Sequence, residues 1–210
     1  MKLTKNTHSC VRVARDGRAL VTDPGMFGSE DELAGAEAIL ITHEHPDHFD
    51  EARVRAALEA DAAVQVWTTG AVADRLSSAF PGRVHVVGHG DAFTAAGLSV
   101  RVHGEYHAVI HPDVPRIANV GFLVEDSLFH PGDALTVPDS PVETLLLPLA
   151  APWSRTQEVV DYVREVAPTR TIDVHDGLLS PAGTTVFDRL VGSLTPSENR
   201  RLEVGDSADL

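Results

Sequence analysis

The chain has 210 residues and carries 17 basic against 31 acidic side chains, a formal charge of −14, with 43% hydrophobic and 23% charged residues. That length is enough to bury a sizeable core, and the acidic balance argues against a nucleic-acid partner, because phosphate backbones are held by clustered Lys and Arg. No run of 18 or more apolar residues occurs, which excludes an apolar membrane-spanning helix.

The opening MKLTKNTHSCVRV has no apolar core of the signal-peptide kind, so a cytoplasmic protein is expected. The one cysteine, Cys10, leaves no internal disulfide or cysteine-rich zinc site and reads as a small buried hydrophobe. Residues 10–25, CVRVARDGRALVTDPG, alternate around a DG pair as a hairpin does and end in Asp23, Pro24 and Gly25. Residues 36–43 read as a buried strand. Residues 50–60 read as a helix capped by Asp50, with Val54, Ala57 and Leu58 at helical spacing. A strand at 63–69 and a helix at 70–80, stopped by Pro81 and Gly82, come next. Strands at 83–88 and 98–107 precede a second hairpin, 119–133, turning at EDS. Residues 143–150 are strand-like and 155–168 form a helix with Val159, Val160, Val163 and Val166 inward; a strand at 170–176 and a helix at 183–194 complete the series. The polar stretch 195–210 is expected to be a partly loose tail. In both halves hairpins come first and strands then alternate with helices. This predicts one α/β domain over 1–210, two sheets face to face with helices outside, in four layers.

The buried strand runs straight into ITHEHPDHFD, residues 41–50. Strand ends are where sites form in α/β sheets. His43 and His45 lie two apart and project to the same side of an extended segment, while Asp47 and His48 face a second point nearby. One loop thus offers two pairs of ligands to two adjacent cations, and imidazole with carboxylate suits Zn²⁺, Mn²⁺ or Fe²⁺. Four ligands do not complete two coordination shells, so others are expected at later strand ends. Three stand there: His107 after LSVRVHGEY, Asp133 closing SLFHPGD with Gly132 easing the turn, and His175 after RTIDV.

HEHPDH at 43–48 resembles the HxHxDH signature of the metallo-β-lactamase superfamily, and the later His, the GD pair and the final His follow in that family's order and approximate spacing. THSCVRV and VTDPG look like the opening of the branch that includes L-ascorbate-6-phosphate lactonase; DHFD is likewise similar to that branch and unlike secreted β-lactamases. The resemblance implies a four-layer αββα sandwich and two divalent metal ions, zinc foremost, with manganese or iron as alternatives. It implies that His43, His45 and His107 hold one metal, that Asp47, His48 and His175 hold the other, and that Asp133 bridges them. Two cations about 3.5–4 Å apart lower the pKa of a shared water toward 7. The resulting hydroxide attacks a carbonyl carbon or phosphorus, with Asp133 fixing the metals and Asp47 orienting the nucleophile or shuttling its proton. The expected function is hydrolysis of a small-molecule lactone, ester or phosphate ester. Its alternatives are a phosphodiesterase or nuclease of the same fold, and a non-catalytic metal-binding scaffold.

Other polar residues are read more simply. Asp23 is expected to support a ligand. His8 either reaches the edge of the site or packs in the first strand. His111 is a loop residue that contacts substrate or replaces His107 as ligand, and His130 is structural or supporting. His85, His89 and His103 are ordinary surface or core residues. Trp153 walls the pocket or packs, and Asp176 caps a helix or supports His175.

Overall fold

Asp16 and Gly17 both take left-handed backbone, at φ 54° and 81°, as a two-residue hairpin turn requires. They join β2 (Val11–Arg15) to β3 (Arg18–Thr22). The computed structural model describes residues 1–210 apart from the side chain of Glu30. β1 (Lys2–Lys5) lies antiparallel to β2. After β3 the pairing turns parallel through β4 (Ala38–Ile41), β5 (Gln65–Thr68) and β6 (Val84–Val86). The connections are a 3-10 turn (Glu30–Leu33), α1 (Glu51–Ala60) and α2 (Gly70–Leu76).

The second half follows the same plan. β7 (Ala92–Ala95), β8 (Leu98–His103), β9 (Gly121–Val124) and β10 (Leu128–His130) are antiparallel. β11 (Thr144–Pro148), β12 (Arg170–Val174) and β13 (Glu198–Arg200) are parallel, linked by α3 (Thr156–Val166) and α4 (Pro181–Leu194). β14 (Ser207–Asp209) then returns to the first sheet beside β1. The sheet orders are β14-β1-β2-β3-β4-β5-β6 and β13-β12-β11-β10-β9-β8-β7. These are the two sheets flanked by helices that the sequence predicts.

β4 shows why its sequence is apolar throughout. Ala38 and Leu40 enter the core between the sheets with Leu3, Val13, Phe122 and Ile172, while Ile39 and Ile41 point outward onto Val54 and Leu58 of α1. A strand covered on both faces has no side left to be polar. On the other sheet, Leu145 and Leu147 pack against Val159, Val163 and Val191 of α3 and α4.

Several expectations are corrected. Residues 195–210 are not a loose tail: they form β13 and β14, with Leu202 and Ala208 buried in the inter-sheet core. β1 and β7 were not anticipated. α2 ends at Leu76 rather than 80, where the Ser77 hydroxyl bonds back to the Ala73 carbonyl. α4 starts earlier than expected, with Ser180 as its cap accepting from the Gly183 N–H. The strand of 98–107 leaves the sheet at Gly104, φ 83°, so His107 stands on a loop. No helix among the described residues is long and apolar enough to cross a membrane.

Candidate metal centre

The loops that follow β3, β4, β8, β10, β11 and β12, with the turn between β1 and β2, meet at one end of the sandwich. Asp23 and Gly25 follow β3, and Thr42 to His48 follow β4. His107, Asp133, Trp153 and His175 come from the second sheet, and His8 from the turn before β2. The approach of the first two loops depends on Gly25, where a Cβ would collide with the Asp47 carbonyl. Gly132 plays the same part beside Asp133: its φ is 63°, and a Cβ there would strike Thr42 and Asn119.

All seven residues expected as ligands come together. Two groups form, His43, His45, His107 and Asp133 in one and His8, Asp47, His48 and His175 in the other, with the ligand atoms of each within 4.8 Å of one another. His43 Nε2 faces His45 Nδ1 at 3.1 Å. Asp133 lies between the groups: its Oδ1 is 3.0 Å from His48 Nε2, and its Oδ2 is 3.3 Å from His107 Nε2 and 3.2 Å from His175 Nε2. Asp47 Oδ2 is 3.6 Å from His175 Nε2 and 3.8 Å from His48 Nε2.

Hydrogen bonds behind the rings assign the tautomers. His48 Nδ1 donates to Asp23 Oδ2 at 2.7 Å, His107 Nδ1 to the Ala108 carbonyl at 2.6 Å, and His175 Nδ1 to the Ala150 carbonyl at 2.8 Å. His43 Nδ1 lies 2.9 Å from the Thr42 hydroxyl, whose own proton goes to Asp23 Oδ2 at 2.8 Å. In each case the proton sits on Nδ1, and the Nε2 lone pair faces the cluster. The buried Nε2 atoms of His48, His107 and His175 and the buried Oδ1 of Asp133 have no hydrogen-bond partner. Buried polar atoms are nearly always satisfied, so lone pairs collected around two points fit two cations.

The charge balance agrees. Burial alone would raise Asp133, but His48, His107 and His175 outweigh it and hold its carboxyl well below the usual range. Asp47 is likewise pushed up by burial yet drawn down to about 2, chiefly by His8 and His48. Burial holds His43 well below the ordinary histidine value, reinforced by His48. Burial also opposes protonation of His48, but Asp133 and Asp23 outweigh it and raise this imidazole well above its ordinary value. Without a cation that excess of negative charge draws a second proton onto His48 Nε2; a bound cation would neutralise the charge and take that proton's place.

Asp23 does support a ligand: it accepts from His48, from the Thr42 hydroxyl and from the Thr42 N–H. His8 sits inside the cluster, with Nε2 3.3 Å from Asp47 Oδ2. Trp153 walls the site and donates from Nε1 to Asp133 Oδ2 at 2.9 Å. His130 has both nitrogens engaged, accepting from Gly132 N and donating to the Ser9 carbonyl, so it offers no lone pair. His111 does not replace His107: it is exposed and accepts from the Asp113 N–H. Asp176 caps nothing, since Ser180 caps α4; it pairs with Lys5 and Arg201. His85 stacks on Trp67 and bonds Gln65, and His103 faces His89 and Asp139. Sequence reasoning missed Thr42 and Asn119, whose side chain receives the Asp133 N–H at 3.0 Å and donates to the Pro131 carbonyl.

Residues 2–175 match the family model of the Beta-lactamase superfamily domain. The chain belongs to this superfamily. Among its relatives, this β-lactamase superfamily protein is 40% identical over 204 residues to the protein Rv0786c of Mycobacterium tuberculosis, covering 94% of each. It is 23% identical over 232 residues to a protein of Shouchella clausii named UPF0173 metal-dependent hydrolase, covering 100% of both. Among solved structures it is similar to Igni18, described as a metallo hydrolase from Ignicoccus hospitalis. The TM-score is 0.77 at 16% identity, covering 99% of this chain and 97% of that one.

Proposed function

We propose that this β-lactamase superfamily protein is a metal-dependent hydrolase that works with two divalent cations, zinc foremost and manganese or iron(II) as alternatives. Its substrate is a small-molecule lactone, ester or phosphate ester. The observation that carries this reading is the set of unpartnered, buried lone pairs on His48, His107, His175 and Asp133, converging from both sheets. His43, His45 and His107 would hold one cation, Asp47, His48 and His175 the other, with Asp133 toward both. When bound, such a pair supplies Lewis acidity and a water acidified toward neutral pH.

The protein's own side chains do the rest. Asp47 is the most open of the site carboxylates, with 25% of its side chain exposed against 4% for Asp133 and none for Asp23. It is therefore the group that meets the attacking water and orients it. Trp153 holds Asp133 in place and closes one wall. A cavity of about 550 Å³ runs from His8 past Phe27, Gly177 and Leu179 toward Arg201, a size suited to a small molecule. Together with the charge of −14, this favours a small substrate over a polynucleotide. The THSC and DPG segments, which resemble the L-ascorbate-6-phosphate lactonase branch, place lactones first.

The test is a substrate panel on metal-loaded protein: a lactone, a p-nitrophenyl ester, p-nitrophenyl phosphate and bis(p-nitrophenyl) phosphate. We expect turnover on one of the first three and a loss of about 10²-fold or more in Asp47→Asn. A silent panel with both metals present, or turnover of the diester alone with salt-sensitive oligonucleotide binding, would overturn the assignment.

A further inference from the structure

We infer that His8 is a positioning residue and not a ligand: it keeps its proton on Nε2 and uses that N–H to fix Asp47. This rests on the two-cation reading above and adds a residue that lies outside the HEHPDH loop and the three later ligand loops.

The hydrogen bond at the back of the ring fixes the tautomer. His8 Nδ1 accepts the N–H of Gly177 at 3.1 Å. Its Nδ1 lone pair is therefore used, and the single proton of a neutral imidazole must sit on Nε2. This is the opposite tautomer from His43, His48, His107 and His175, which each carry the proton on Nδ1. A protonated Nε2 has no lone pair for a cation. Exchanging the tautomer would set two N–H donors against each other at Gly177. Gly177 makes the contact possible, since a Cβ there would come within 3.0 Å of His8 Nδ1.

The Nε2–H then needs an acceptor. It is buried, has no hydrogen-bond partner that meets full geometry, and has Asp47 Oδ2 as a facing carboxylate oxygen at 3.3 Å. Asp47 is the ligand candidate in most need of a brace, because it alone of the three site carboxylates opens toward solvent. Backbone geometry supports a demand on this position. His8 has φ 52°, a left-handed conformation that glycine would adopt without strain. Its carbonyl accepts the N–H of His175, itself at φ 54°, and the two rings lie 4.1 Å apart. His8 is thus locked to a ligand candidate through its main chain, and it lines the cavity that runs past Phe27 and Gly177.

The experiment uses the full chain loaded with zinc and labelled with ¹⁵N-histidine. Long-range ¹H–¹⁵N correlation should give His8 a protonated Nε2, with the reverse pattern in His48, His107 and His175. Elemental analysis of His8→Ala should retain both zinc ions per chain, whereas His48→Ala should not. On the best substrate of the panel, His8→Ala should lower kcat about 10-fold with little change in KM, the scale seen when a residue orienting a ligand is lost. His8→Gln, which restores a donor of similar reach, should recover part of it. An unprotonated His8 Nε2 in the zinc-loaded protein, loss of one zinc in His8→Ala, or full kcat in that variant would each overturn the assignment. The spectroscopic and zinc measurements decide the matter even if no panel substrate is turned over, which separates this inference from the choice of substrate.

Discussion

Which nitrogen a histidine keeps protonated is decided by a neighbour that need not be a ligand, and Asp23 shows how much one such neighbour controls. Its Oδ2 takes the proton of His48 and, through Thr42, organises His43, so one buried carboxylate orients a ring in each group. Asp23→Asn should keep the shape but replace an acceptor with a donor. We expect metal affinity to fall about 10- to 100-fold, measured by competition with a chromophoric chelator, while the far-UV spectrum stays unchanged. At this scale His43, His45, Asp47 and His48 were legible because two-residue spacing and adjacency are local facts. His175 was legible through its place at a strand end, and His107 and Asp133 through the strands that precede their loops, together with the resemblance. Thr42, Asn119 and the tautomer of His8 were not, because each acts through a partner that folding alone brings close, such as Gly177 against His8.

Among the elements, the turn of the second hairpin clasps the two sheets. Glu125, at φ 53°, accepts from Ser99 by both its N–H and hydroxyl and pairs with Arg15 of the first sheet. Burial pushes the Glu125 carboxyl up, but the Arg15 and Ser99 bonds outweigh it and hold it below the usual glutamate range. A carboxyl depressed in the folded state contributes stability above its unfolded pKa, about 4.3, and that contribution is lost as the pH falls through the folded value. Urea midpoints should therefore place wild type above Glu125→Gln at pH 7, by no more than about 1 kcal/mol for so exposed a pair. The gap should narrow as the pH falls below the unfolded value and through the folded one; a gap that stays constant across that fall would remove the clasp. Hairpins and helices at this scale were legible where turn residues and inward valines repeat, as at Asp16–Gly17 and in α3. β13 and β14 were not, because three-residue edge strands with no buried side chain, as in β13, or one, Ala208 in β14, show no period.

Across the whole molecule, each sheet supplies an incomplete set. The first offers His43, His45, Asp47 and His48; the second offers His107, Asp133 and His175. Both groups draw on both sheets, so the site exists only when the halves are packed, and any cation held there binds the folded state alone and stabilises it. The strand-then-helix order of each half made this sandwich legible, while the seam between the halves was legible only as a demand for distant ligands. Elemental analysis of the purified chain after zinc loading and desalting, beside Asp133→Ala, tests the claim most directly. Two zinc ions per wild-type chain, falling to one or fewer in Asp133→Ala, is the predicted result; a wild-type chain that retains none, or a variant that retains both with unchanged turnover, would contradict it.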